Sequence, residues 1–178
     1  IKDATGNDAT LTLAVPGATN SLGDNKAIVI DTARPTVTNV TTNANSPDGI
    51  YSSSSLPINI EVTFSKIVNV TNLPQLILGG VANSVDYTSG TGTNKLVFQY
   101  SVTNGDSTPF LDYATRNALV LPVGSSIKDA LGNDADLTLA APGTDGSLGK
   151  NRNIVVDTTP PTVINVTSTT ANGSYNVG

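Results

Sequence analysis

Apolar and polar residues alternate through the middle of this chain with a period of two. In the run 56–68 the two kinds fall on opposite faces: Ile58, Ile60, Val62 and Phe64 against Asn59, Glu61 and Thr63. Such alternation is typical of β-strands that bury one face. Runs of this kind, and β-branched runs between turn residues, predict strands at 35–42, 56–68, 74–80, 82–90, 94–103, 117–129, 135–141 and 152–157. No segment keeps a 3.6-residue apolar period, so the pattern predicts an all-β protein, an immunoglobulin-like Greek-key β-sandwich.

A long phrase occurs twice in the chain. The first seventeen residues, IKDATGNDATLTLAVPG, return at residues 127–143 as IKDALGNDADLTLAAPG. Aligned without a gap, residues 1–44 and 127–170 are identical at 28 of 44 positions, which gives a period of 126 residues. Separate domains of one fold diverge further than this, so we interpret the similarity as duplication within a tandem array of repeats.

Two proline-containing phrases mark the boundaries of the repeat, VIDTARPTVTNVT at 29–41 and VVDTTPPTVINVT at 155–167. Proline fixes its own φ and keeps the preceding residue extended, so Asp-Thr-x-x-Pro predicts a short, stiff linker. On this basis residues 1–31 are the C-terminal part of a preceding repeat, 32–157 a complete repeat, and 158–178 the N-terminal part of a following repeat. The chain is then expected to be a stretch of a longer array.

The composition excludes several classes of function. The formal net charge is -5 and the sequence pI is about 4.4, which argues against binding to nucleic acid or to an anionic membrane surface. No apolar run approaches the roughly 18 residues of a membrane span, so no membrane insertion is expected. The sequence has no His and no Cys. Because the commonest general base and the thiolate nucleophile are both missing, we do not expect an enzyme.

The order of several short motifs carries a resemblance to a known family. VTFSK, YTSGTGTNKLVFQYSVTNGD, LDYATRNAL, IKDALGNDA and VVDTTPPTV follow one another along the chain. In this order they resemble the bacterial Ig-like repeats of large surface adhesins and related extracellular repeat proteins. The resemblance implies a cell-surface or extracellular location, a multi-repeat protein that projects a distal binding domain, and calcium ions at the module junctions. Related repeats often carry Glu after VTFS, where this chain has Lys66.

The motif D-x-x-G-N-D is the best candidate for a calcium site. It occurs as Asp3, Asn7 and Asp8 and again as Asp129, Asn133 and Asp134. Calcium takes six to eight oxygen ligands from carboxylates, amides and backbone carbonyls, and each motif offers two carboxylates and one amide within a turn. The same residues are also ordinary turn formers, so a purely structural loop is the alternative.

The topology of a sandwich predicts where these loops lie. The turn between the last two strands returns to the end at which the chain enters, so the Asp129–Asp134 loop should lie beside the preceding linker. There Asp31 could complete a calcium site. By the same argument Asp106 and Asp112 should lie near Asp157 at the opposite end.

We expect a structural spacer repeat whose partners are neighbouring repeats of the same chain. One alternative is a carbohydrate- or cell-binding module that uses exposed Tyr51 and Tyr87, while Tyr100 and Tyr113 are expected to be buried. Tyr113 could also form a tyrosine corner. The other alternative is a self-assembling fibre subunit that pairs with other copies. The Gly-rich segment 141–153, matched by 15–27, is expected to be a surface loop.

Overall fold

A computed structural model describes residues 1–81 and 84–176. The chain divides into two compact units, Ile1–Ala33 and Arg34–Gly178. In the first unit a bridge joins Lys2 to Asp8, and a short helix, α1, spans Leu22–Asn25.

The second unit is built from short strands and one short helix. The strands are β1 (Val37–Thr42), β2 (Gly49–Tyr51), β3 (Ile58–Thr71), β4 (Gln75–Gly79), β5 (Ser84–Ser89), β6 (Thr93–Tyr100), β7 (Ser107–Thr108), β8 (Asp112–Tyr113), β9 (Leu119–Val120), β10 (Ser126–Lys128) and β11 (Ile154–Asp157). The helix α2 spans Leu148–Asn151. The chain is therefore all-β, as its pattern predicts.

The strands form two sheets. The larger has eight strands in the order β1-β3-β6-β5-β4-β8, with β10 also paired to β3 and β9 also paired to β4, and its pairs are antiparallel. The smaller has the order β2-β11-β7, in which β11 is parallel to β2 and antiparallel to β7. The long strand β3 changes partner along its length: it pairs with β1 and β6 in its first part and with β10 over Asn69–Thr71.

The alternating run in β3 supplies the centre of the core, which confirms its predicted buried face. Ile58, Ile60, Val62 and Phe64 are at most 1% exposed. On the neighbouring strand β6 the buried side chains are Leu96, Phe98 and Tyr100. The opposite face is polar, where Glu61 and Lys95 form an ion pair of 3.1 Å. The period of two thus sorts the side chains into core and solvent as the pleat requires.

Two strand predictions need correction, and a third lies partly outside the described residues. The predicted strand 117–129 is interrupted by a turn, in which the N–H of Ser125 donates to the carbonyl of Pro122, and only β9 and β10 remain. The predicted strand 135–141 is absent, because its N–H groups go to separate partners, Asp136 to the carbonyl of Pro35 and Leu139 to that of Arg116. Of the predicted strand 82–90, the first two residues lie outside the described residues, and the rest is β5.

The segment 141–153 is only in part the surface loop that its composition predicts: residues 142–145 are exposed, but Ser147 and Leu148 are buried. Leu148, within α2, is fully buried, and Ser147 caps the helix by accepting a hydrogen bond from the N–H of Lys150. The Arg152 guanidinium donates to Thr41 Oγ1 and to the carbonyl of Thr42 on β1. Part of this Gly-rich segment is therefore core, held in place by one leucine and by polar bonds to β1.

The tyrosines are placed only partly as expected. Tyr100 and Tyr113 are buried, as predicted. Tyr113 donates its hydroxyl to the carbonyl of Ala140 at 2.8 Å, far downstream, whereas a tyrosine corner bonds a few residues upstream. Tyr51 and Tyr87 are half-buried, not exposed, and Tyr87 packs edge-to-face on Phe98 with ring centroids 6.1 Å apart.

Candidate functional site: the Asp129 loop and the linker segments

The loop from Asp129 to Asp134 (the Asp129 loop) begins where β10 ends, on the far half of β3. Ile127 pairs with Val70, and the chain then turns back on itself. Two backbone bonds close the turn, from the Asp129 N–H to the Asn133 carbonyl and from the Gly132 N–H to the Asp129 carbonyl, each 3.1 Å. Gly132 has φ of +89°, in the left-handed region, which glycine adopts without steric cost.

The Asp129 carboxylate holds this loop together from the inside. Its Oδ1 accepts from the N–H groups of Leu131 (3.0 Å) and Asn133 (2.9 Å), and its Oδ2 accepts from the Asn133 side-chain amide at 2.9 Å. Lys66 Nζ, from β3, lies 3.5 Å from the same Oδ2. The bond from the Asn133 side chain and the bonds from the loop N–H groups lower the pKa of Asp129, because they favour the charged form.

The first copy of the motif adopts the same arrangement. Asp3 Oδ1 accepts from the N–H groups of Thr5 and Asn7, both at 2.9 Å, and Asp3 Oδ2 accepts from the Asn7 side-chain amide at 2.9 Å. The pKa of Asp3 is held well below its usual range, chiefly by the Asn7 side chain. The six residues of the motif therefore specify this loop both in the first unit and in the second, where the loop follows a strand of the large sheet.

A lysine pairs with the last aspartate of each motif. Lys128 Nζ lies 2.8 Å from Asp134 Oδ1, and Lys2 Nζ lies 2.7 Å from Asp8 Oδ1. Lys128 also lowers the pKa of Asp134, first through its hydrogen bond and then through its charge. Both carboxylates of the Asp129 loop thus have an ammonium group beside them.

In this arrangement the residues do not fit a calcium ion. Both oxygens of the Asp129 carboxylate accept hydrogen bonds within the loop, and Lys66 and Lys128 bring positive charge to where a divalent cation would have to bind. Across residues 1–81 and 84–176, no three His, Cys, Asp or Glu residues come together as a metal site. Calcium binding stays a prediction of the sequence, and an ion would have to displace these contacts.

The predicted proximity of the loop and the preceding linker is visible in residues 34–36 (the N-terminal linker segment). Arg34 Nε donates to the carbonyl of Asp134 at 2.8 Å, and its terminal NH2 donates to the carbonyl of Ala135 at 3.1 Å. The carbonyl of Pro35 accepts the N–H of Asp136 at 2.8 Å. Asp31 belongs to the first unit, where its Oδ1 accepts the N–H of Ala33 at 2.9 Å. Its predicted part in the loop stays a prediction.

At the other end of the module, Asp106 and Asp157 come together as expected. Asp157 pairs with Ser107 between β11 and β7. Asp106 is buried, and its Oδ2 accepts from the Tyr100 hydroxyl (2.8 Å) and from the N–H and Oγ1 of Thr103 (both 2.9 Å). This carboxylate therefore organises the turn 103–106 by hydrogen bonding.

The placement predicted for Asp112 is wrong. Leu111 donates its N–H to the carbonyl of Ile154, so Asp112 lies beside the start of β11, whereas Asp157 is at its end. Its Oδ2 accepts the N–H of Gly143 at 2.9 Å. A β-carbon on Gly149 would lie only 2.7 Å from that oxygen, which explains the glycine of the Ser-Leu-Gly phrase. Asp112 fastens the 141–153 segment to β8.

Three contact residues were not found from the sequence. The repeat gives no signal for Arg34, because the other copy has Pro160 at the same position. Thr158 had a signal, since the linker of the other copy also has threonine there, as Thr32. Leu148 had one too, since Ser-Leu-Gly recurs in both copies of an otherwise variable segment.

Comparison of the chain with protein-family models, with curated proteins and with solved structures gives no match. Among the described residues, no helix has the length and apolar character needed to cross a bilayer.

Proposed function

We propose that this chain is a structural spacer: Ig-like, Greek-key β-sandwich repeats in tandem within a bacterial cell-surface adhesin or extracellular filament. The observation that carries the proposal is that the repeated phrases also repeat as structure. Besides the two D-x-x-G-N-D loops, Ser21 and Ser147 accept N–H groups three residues on, each at 3.2 Å. Asp31 and Asp157 each accept an N–H two residues on, at 2.9 Å.

A spacer needs many junctions of similar geometry, and the recurrence of these local bonds supports that reading. The elements that recur lie in the linkers and in the segments leading to them, where one module would meet the next. Tyr51 and Tyr87, the residues expected to form a sugar platform, are half-buried, which weakens the binding-module alternative that rests on them; the exposed aromatic side chains are Phe110 and Tyr175, each 67% exposed.

A second candidate, the self-assembling fibre subunit, is favoured by exposed apolar residues near the two ends of the chain. In the first unit these include Ile1 (90% exposed), Leu13 (88%) and Ile30 (86%). In the segment 158–176, which has no helix or strand, they include Val163 (84%), Ile164 (94%) and Val166 (87%). In the spacer such residues would be covered by neighbouring repeats of the same chain, and in the fibre by other copies.

The experiment that tests the spacer is to insert one, two or three further 126-residue repeats after residue 157 and to measure the maximum dimension by solution scattering. We expect the same increment for each repeat. Dimensions that grow unevenly or hardly at all would overturn the spacer. Electron microscopy and sedimentation of the unaltered chain over a range of concentrations test the fibre, which requires concentration-dependent filaments.

A further inference from the structure

The chain stays attached to the module for at least one residue beyond its last strand, β11, which ends at Asp157. In the C-terminal linker segment (residues 157–159), Thr158 Oγ1 donates to the carbonyl of Asp106 at 2.9 Å and accepts the N–H of Gly105 at 3.0 Å. The turn that Thr158 contacts is itself held by the buried Asp106 carboxylate. The threonine hydroxyl thus uses both its donor and its acceptor capacity on one ordered turn.

The chain is also attached before the first strand. Arg34 and Pro35 bond to three consecutive residues, Asp134 to Asp136. Thr36 exchanges two bonds with Ser65 on β3: its N–H donates to Ser65 Oγ at 3.0 Å and its carbonyl accepts the Ser65 N–H at 2.8 Å. Each residue of the N-terminal linker segment therefore contacts the module that follows it.

The two linker segments are different parts of one repeated phrase. Thr158 occupies the second position of Asp-Thr-x-x-Pro, and Arg34 and Pro35 occupy the fourth and fifth positions in the other copy. A linker that makes both sets of contacts is bonded at its second residue to the module before it. Its fourth, fifth and sixth residues are bonded to the module after it. At the third position, the N–H of Ala33 or Thr159 is bonded to the aspartate of the first position.

We propose, on the basis of the spacer function, that Asp-Thr-x-x-Pro is a metal-independent clasp that binds two successive repeats. Its sites on the module are the turn 103–106, which binds the threonine hydroxyl of the linker that follows, and the carbonyls of Asp134 and Ala135, which bind a guanidinium from the linker that precedes. Since Pro160 stands where the other copy has Arg34, the clasp formed by 158–162 lacks the two guanidinium bonds. The stiffness of a junction is thereby set by its fourth residue.

The test uses the whole chain in chelator and measures backbone 15N relaxation and amide exchange by NMR. In the unaltered chain, residues 34–36 should be as rigid as β3. Arg34→Gln should increase the fast motion of residues 33–35 and speed exchange of the Asp136 amide by about five-fold, the factor for one hydrogen bond, while β3 and β6 stay unchanged. Arg116→Gln is the matched control, because the hydrogen bond of the Arg116 guanidinium among the described residues is a long one, 3.4 Å, to the carbonyl of Leu139.

Thr158→Val tests the other half of the clasp at nearly constant volume. Exchange of the Gly105 amide should rise by about five-fold, and Thr32→Val, the same change in the other unit, should leave it unaltered. Segments that are mobile in the unaltered chain, or variants without these local effects, would overturn the clasp. So would rigidity that appears only on adding calcium. The length measurements on multi-repeat chains do not depend on these results, so a failed clasp and a failed spacer are distinguishable.

Discussion

Replacing Leu148 by Ala tests whether the repeated Ser-Leu-Gly phrase is part of the core. Leu148 is fully buried, and α2 packs against β1 and β8. The substitution removes about three methylene-sized groups, which corresponds to about 2.4 kcal/mol of transfer free energy. The residual cavity adds to this, because α2 is fixed by Ser147 and by the bonds of Arg152 and cannot collapse into the space. We expect the free energy of unfolding to fall by about 3–4 kcal/mol.

Urea unfolding followed by tyrosine fluorescence is the appropriate assay. The chain has no Trp, and its five tyrosines lie between residues 51 and 175, so the signal reports on the second unit. Leu131→Ala is the matched control in the same unit, because Leu131 is 61% exposed, and its cost should stay within about 0.5 kcal/mol. A loss below about 1 kcal/mol for Leu148→Ala, or equal losses for the two variants, would refute the assignment of this segment to the core.

Three further predictions concern calcium and pH. Because the junction consists of protein–protein bonds, millimolar calcium should leave the melting temperature as it is in chelator; a rise of several degrees that Asp129→Asn abolishes would instead establish the calcium site predicted by the sequence. Hydrogen bonds from Asn133 hold the folded-state pKa of Asp129 below its ordinary value of 3.8, so the stability that this carboxylate gives the fold is present above about pH 4 and lost as the pH falls further. The urea midpoint should therefore drop in acid, and less so in Asp129→Asn; equal acid sensitivity in both proteins would contradict this. Burial raises the pKa of Tyr113 from 10.0 to about 12. The stability that the protonated Tyr113 gives the fold should therefore be lost as the pH rises from about 10 to about 12. Tyrosinate absorbance should show late ionisation in the unaltered chain, and Tyr113→Phe should reduce that component by one tyrosine and cost about 1 kcal/mol, while Tyr100, whose pKa is also raised by burial, still ionises late; an unchanged titration would refute the assignment.

Local chemistry was sufficient to predict some parts of the fold. The alternation in β3 and β6 identifies the core face, because side chains on a strand point alternately to the two sides. The Asp129 loop could be located because its bonds connect residues four apart or closer. The absence of the strand 135–141 and the burial of Leu148 in the segment 141–153 could not be predicted, because both depend on distant partners, Pro35 and Arg116 for the first and β1 for the second.

The repeated phrases separate what the sequence determines from what the tertiary structure decides. The D-x-x-G-N-D loop forms in both copies, since the carboxylate, amide and glycine that close it are neighbours along the chain. Burial differs between the same copies: Leu148 is fully buried and Leu22 is 70% exposed, although both stand in Ser-Leu-Gly. Likewise Val40, in β1, pairs with Val62 of β3 and is fully buried, whereas Val166, in the same Asn-Val-Thr, is 87% exposed. A strand or a core position requires a partner from a distant part of the chain, as β3 is for Val40 and β1 and β8 are for the helix that carries Leu148.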